Sequence, residues 1–178
     1  MLEQFLSPTT ERHNLLTSML MHRIFPMIEQ NSAYAVQEQI PLVHYGEKRK
    51  GGWLSLVDVS QIIDTDEFID SKINDLEYIL PDFMMFKENN YLKNRKRTKI
   101  AGCPDLLVEV WSDSNTEEEQ IFKMELYSMS NTEHWYIMQD SNKVECWLGK
   151  RKLSNQYLSN ILKTQKGIEF DLRYLALT

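Results

Sequence analysis

Apolar positions along the chain fall into two rhythms. After "SPTTER", residues Leu15, Leu16, Met19, Leu20 and Ile24 recur at helical spacing, and Thr9 or Thr10 stands where an N-cap belongs. Pro26 lies inside or near the end of that helix and is expected to bend it. The rhythm then shifts toward alternation. "YAVQEQIPLVHY" reads as a strand interrupted by Pro41, hence an edge strand, "GEKRKGG" as a turn, and "WLSLVDVS" as a second strand. "EYILPDFMMF" reads as a third strand with Pro81 within it, whereas the acidic residues 60–76 show no clear period.

"PDLLVEVW" follows as a further strand, and after it comes the clearest helix of the sequence. Ser114 and Glu117 make a capping-box pattern, and Glu117, Glu118 and Glu119 crowd the positive end of the helix dipole. Phe122, Leu126 and Met129 form one stripe; Glu119, Lys123 and Tyr127 line up at i,i+4 spacing on another face. "HWYIMQ" and "VECWLG" flank "DSNK", a hairpin signal, and "GIEFDLRYLAL" ends the chain as a strand or a short helix. The order of helix, strands, helix and hairpin predicts an α/β protein of the mixed, α+β kind, its sheet covered on at least one face.

Composition narrows this picture. A chain of 178 residues suits a single domain, here residues 1–178, and 42% apolar content is enough for one core. A net charge of −6 argues against coating nucleic acid by bulk electrostatics, though not against a local cationic contact. Cys103 and Cys146 have neither disulfide-framework nor metal-type spacing. With no signal peptide and no apolar run of membrane-spanning length, the expectation is a cytoplasmic, acidic globular domain without a membrane partner.

The strand "PDLLVEVW" carries two acids. Alternation puts Leu106, Val108 and Val110 on an ordinary core face, and Asp105, Leu107, Glu109 and Trp111 on the other, as in the lining of a cleft. Asp105 and Glu109 are about 13 Å apart along an extended strand, too far to share one small cation. Asp82 of "LPDF" is a nearer partner: if the strands around 82–86 and 105–110 are antiparallel neighbours, Asp82 lies beside Glu109. Two carboxylates that close repel, and a divalent cation, Mg²⁺ first, relieves the conflict. Against this stands the ordinary case of a solvent-facing acid in a strand. Lys123, about a helix turn beyond, can aim an ammonium at the same place, or can be half of a surface pair with Glu119; spacing leaves both open.

These segments resemble the Uma2 family, restriction-endonuclease-like proteins of the PD-(D/E)xK nuclease superfamily. The resemblance rests on Pro81 and Asp82; on Gly102, Pro104, Asp105, Leu106, Glu109, Val110 and Ser112; on Glu119 and Lys123; on Tyr127; and on Glu133 with Trp135. "SPTTERHNLL" also matches the family's Ser-Pro…His segment. The resemblance implies a restriction endonuclease-like fold, a mixed central sheet with flanking helices. It further implies that Asp82 and Glu109 bind Mg²⁺ or Mn²⁺ and that Lys123 is the catalytic lysine, moved from the strand to the following helix. Trp111 holds the position where the parent motif has its lysine. The reaction implied is metal-assisted phosphodiester hydrolysis of nucleic acid, DNA first, by an enzyme of a kind that often pairs as a homodimer.

The chain meets its Ser-Pro segment almost at once, so the family's early acidic segment is expected to be missing, with Glu3 and Glu11 near its place only. Asn131 and Thr132 stand where a Gly usually precedes the E-x-W strand. The alternative reading is accordingly a catalytically inactive nucleic-acid-binding or protein-interaction module on the same scaffold. "YLKNRKRTK" offers Lys93, Arg95, Lys96 and Arg97 as backbone contacts for DNA, or simply a solvated loop. The four histidines lack ligand spacing and are assigned to packing or capping, His13 among them.

Overall fold

A computed structural model describes residues 11–30, 34–37, 42–43, 48–49, 52–53, 78–87, 100, 103–112 and 114–177. Helix α1 (Glu11–Gln30) leads into short strands β1 (Tyr34–Gln37), β2 (Leu42–Val43), β3 (Lys48–Arg49) and β4 (Gly52–Trp53). β5 (Tyr78–Ile79), β6 (Phe83–Lys87) and β7 (Leu106–Trp111) precede helix α2 (Glu117–Ser128). The hairpin strands β8 (Glu133–Met138) and β9 (Lys143–Leu148) follow. The chain closes with β10 (Arg151–Lys152), β11 (Gln156–Tyr157), β12 (Leu162–Lys163), β13 (Glu169–Phe170) and a 3₁₀ turn at Arg173–Leu175.

The main sheet runs β1-β6-β7-β8-β9-β10, with β11 also on β9. β7 and β8 are parallel while its other pairings are antiparallel. A parallel pair needs a crossover, and α2 supplies it. β7 is buried along its whole length, with apolar groups on both faces. Leu106, Val108 and Val110 join Leu16, Leu20, Trp135, Ile137 and Phe170 in the cluster beneath α1. Leu107, Trp111 and Tyr136 pack instead with Leu126 and Tyr127 of α2, Trp111 stacking on Tyr136 at 4.2 Å between ring centroids. The expected division of β7 into two faces is therefore present, but the acid-bearing face is packed under α2 rather than lining an open cleft.

Several expectations need correction. The α1 stripe is rotated: Leu16 and Leu20 are buried, as are His13 and Thr17, while Leu15 is 46% exposed. Pro81 does not sit within one strand; it separates β5, which pairs with β2, from β6 of the main sheet. The N-cap of α2 is Thr116, whose hydroxyl accepts from the Glu119 amide at 3.2 Å, so the cap lies two residues later than Ser114. The tail is both things at once, β13 and then a 3₁₀ turn. Thr9, Thr10, the acidic stretch 60–76 and the basic loop with Lys93, Arg95, Lys96 and Arg97 lie outside the described residues. Among the described residues no helix is long and apolar enough to cross a membrane.

Candidate active site

The register of β6 on β7 aligns Phe83 with Val108, which carries Asp82, one residue earlier, to the flank of Glu109. The Val110 amide, next to Glu109, donates to Asp82 Oδ2 at 2.8 Å. Antiparallel neighbours with Asp82 beside Glu109 are thus observed. The other Asp82 oxygen, Oδ1, meets His13 Nε2 of α1 at 3.0 Å. His13 shares the buried stripe of Leu16, Thr17 and Leu20, one turn below them, which points its imidazole at the sheet rather than at solvent.

Glu109 is 1% exposed, and its carboxylate is held by α2. Lys123 Nζ donates to Oε2 at 2.7 Å and Tyr127 Oη donates to Oε1 at 2.5 Å. Lys123 also lies 3.6 Å from Glu119 Oε1. The i,i+4 line of Glu119, Lys123 and Tyr127 is therefore the face of α2 turned to the sheet. Lys123 is not half of a surface pair with Glu119; it is a largely covered cation, its side chain 13% exposed, between two buried acids.

Burial raises the Glu109 carboxyl to about 7; Lys123 opposes the rise and the Asp82 charge adds to it. Burial works against the Lys123 ammonium, but the Glu109 charge and hydrogen bond outweigh it and its pKa moves up. His13 follows the same pattern, with burial pulling down and Asp82 carrying it upward overall. Tyr127 is driven well above its ordinary value by burial and then by Glu109, so it stays a donor. The cluster thus sets two carboxyl groups against an ammonium and an imidazole, with Glu109 changing charge close to neutral pH.

Asp105 takes no part. It forms an ion pair with Lys166 at the other end of β7, in line with its expected separation from Glu109. Glu133 and Trp135 are structural: the indole donates to Glu133 Oε1 at 2.8 Å, and the Gln165 amide to Oε2 at 2.8 Å. His134 is buried and lowered to about 4 by that burial, hence neutral. Its Nε2 donates to the Gly149 carbonyl at 3.0 Å, so Nδ1 accepts from Tyr136 at 2.7 Å. Glu11 lies exposed at the start of α1.

A divalent cation at Asp82 and Glu109 is chemically consistent with this donor set. One carboxyl group just before β6 and one within β7, where burial and then the Asp82 charge raise the cost of ionising Glu109, offer the hard oxygens Mg²⁺ or Mn²⁺ takes, with remaining positions left to water and substrate. No group of three or more His, Cys, Asp or Glu side chains among the described residues converges as a self-sufficient metal cage.

Fold and site together define an α+β domain in which an acid at the mouth of one strand and an acid within its neighbour meet a lysine carried on the crossover helix. Residues 52–172 match the model of the Uma2 family, described as "Putative restriction endonuclease", and the chain belongs to that family. The fold is similar to that in the crystal structure of "a putative nuclease belonging to DUF820 from Anabaena variabilis". The similarity has a TM-score of 0.61 at 11% identity and covers 95% of this chain and 84% of that one. Identity that low speaks for the fold alone, which is the expected restriction endonuclease-like one. No curated protein matches the chain.

Proposed function

We propose that this protein is a metal-dependent nuclease hydrolysing phosphodiester bonds of DNA, with Asp82 and Glu109 sharing Mg²⁺ or Mn²⁺ and Lys123 as the catalytic lysine. The observation that carries the reading is the buried Lys123–Glu109 contact of 2.7 Å beside Asp82, since an amine and two acids from three separate elements have little reason to meet under a helix for stability alone. Membership of the Uma2 family supports it.

A cation bound there would polarise the phosphate and ease ionisation of the attacking water. The protein's own groups do the rest. Val110 and His13 fix both oxygens of Asp82, so its orientation does not have to be found during reaction. Tyr127 fixes Oε1 of Glu109 and leaves Oε2 to exchange partners. Lys123, once off Glu109, places a positive charge beside the phosphate, where negative charge grows in the transition state. Packing of α2 on Leu107, Trp111 and Tyr136 keeps water off the inner side of the cluster. The cations of 91–99 are the DNA contacts in this reading, Lys93, Arg95, Lys96 and Arg97 among them.

The test is cleavage of plasmid and single-stranded DNA with Mg²⁺ or Mn²⁺, comparing the wild type with Asp82→Ala and Lys123→Ala. Cleavage by the wild type alone is expected; equal cleavage by all three, or by none, overturns the reading. One observation favours a second reading, an inactive binding module: every oxygen of Asp82 and Glu109 already has a protein partner. In that case DNA binding survives with no response to metal.

A further inference from the structure

Glu119 is 2% exposed, and nothing in its position at the start of α2 demands that. Glu117 and Glu118 serve the helix dipole from exposed positions. Glu119 is instead built in from two sides. Its amide is capped by Thr116 at 3.2 Å, and Asn115 Nδ2 donates to its Oε2 at 3.2 Å. Asn115 is itself placed by the Ser112 amide, which donates to Oδ1 at 2.9 Å. The remaining oxygen, Oε1, faces Lys123 Nζ at 3.6 Å, longer than a hydrogen bond, while the same ammonium makes its full bond to Glu109.

We propose that Glu119 is a positioning residue that receives Lys123 when a divalent cation takes Oε2 of Glu109. The proposal rests on the metal-dependent reading of the site. Ammonium and cation compete for one oxygen, and a lysine released into this interior without a second acceptor would be an unpaired buried charge, which is strongly unfavourable. Glu119 removes that obstacle. Lys123 has only to close the gap to Oε1 to exchange one buried carboxylate for another, and it stays within reach of the reacting phosphate. The fixed Oε2–Asn115 bond keeps the receiving oxygen aimed.

The experiment is a double-mutant cycle read as Mn²⁺ affinity by isothermal titration calorimetry, with folding of each variant checked by circular dichroism. Glu119→Gln in the wild-type background is expected to weaken Mn²⁺ about tenfold, in the range for groups that support metal ligands. In a Lys123→Met background, where no ammonium needs a place, the same change is expected to have an effect within about twofold. Asn115→Ala, which loosens Glu119 without removing it, should give a smaller loss with the same dependence on Lys123, and serves if Glu119→Gln does not fold. An equal loss in both backgrounds would make Glu119 a mere contributor of negative charge, and no loss in either would make it structural; each overturns the proposal. Absence of Mn²⁺ binding by the wild type overturns the metal reading with it, and is told apart because the reference protein itself is silent.

Discussion

Lys123 Nζ and Glu109 Oε2 lie 2.7 Å apart and join α2 to the central strand β7 with almost no solvent between them. The pair holds two charges inside a packed interface, so the fate of either alone is decided by the other. Lys123→Met is expected to cost about 3 kcal/mol at pH 8, the usual size for orphaning one member of a buried pair. The cost should be much smaller at pH 5, where Glu109 takes up a proton. The sign follows from linkage: Glu109 is raised from 4.5 to about 7, so in that window folding binds a proton and stability falls as pH rises. Without Lys123 the window should extend above pH 7. Urea melts at pH 5, 7 and 9 in EDTA would show it, and a variant curve parallel to wild type would contradict it.

His13 contributes with its own pH dependence. Its pKa in the folded protein is raised above 6.5, so the stability from its contact with Asp82 is complete below that value and is lost as pH climbs through the raised one. The destabilisation of His13→Ala should therefore be about 1–2 kcal/mol at pH 5.5 and should shrink by pH 9, again in EDTA. Difference melts between variant and wild type across pH are the measurement; a constant difference would reduce His13 to packing.

Metal should act on the fold as a ligand. If Asp82 and Glu109 share a cation, Mn²⁺ at a hundred times its Kd stabilises the native state by about 2.7 kcal/mol, and Asp82→Ala removes that increment. Thermal melts with Mn²⁺ and with EDTA decide it. Equal melting of the wild type under both conditions would count against the site.

The helix cap offers a sharper local check. Thr116→Ala should cost about 1 kcal/mol and Ser114→Ala little, because only Thr116 accepts from an amide of the first turn. Denaturant melts of the two variants compare them directly.

Much of this arrangement is legible in the amino-acid sequence. The two faces of β7 could be told apart because alternation survives even in a fully buried strand, and Asp82 could be placed beside Glu109 because antiparallel pairing leaves little freedom once the neighbours are chosen. The α2 cap was misplaced because "SDSNTEEE" contains overlapping candidates: Ser114 and Thr116 both precede a Glu by three residues, and only the path of the chain leaving β7 selects between them. His13, assigned to packing or capping, proves to pair with Asp82, a partner far away in sequence, yet the sequence holds a signal for it. It is the titratable member of the stripe with Leu16, Thr17 and Leu20, and a lone histidine in such a stripe has to meet something. The burial of Lys123 could not be read at all: i,i+4 spacing to Glu119 is the same on a surface helix as on one pressed to a sheet.

The hairpin end of the sheet is fixed by a different device. Gly149 sits at φ +53°, and a Cβ there would come within 2.8 Å of the Ser130 carbonyl. Its own carbonyl accepts from neutral His134. Gly149→Ala combines backbone strain with a backbone clash and should cost about 1–3 kcal/mol, read as a lowered melting temperature.

The crossover between β7 and β8 has a final implication for how such sites can change over time. A lysine embedded in a strand is locked to the ladder, and moving it means breaking sheet hydrogen bonds. Borne on α2, the amine can be advanced, withdrawn or swung aside by small rotations of a packed cylinder, while the acids stay where they are. Descendants of this scaffold can therefore retune reactivity through the residues packed between the helix and the sheet, Leu126 of α2 and Trp111 of β7 among them, with both carboxylates untouched.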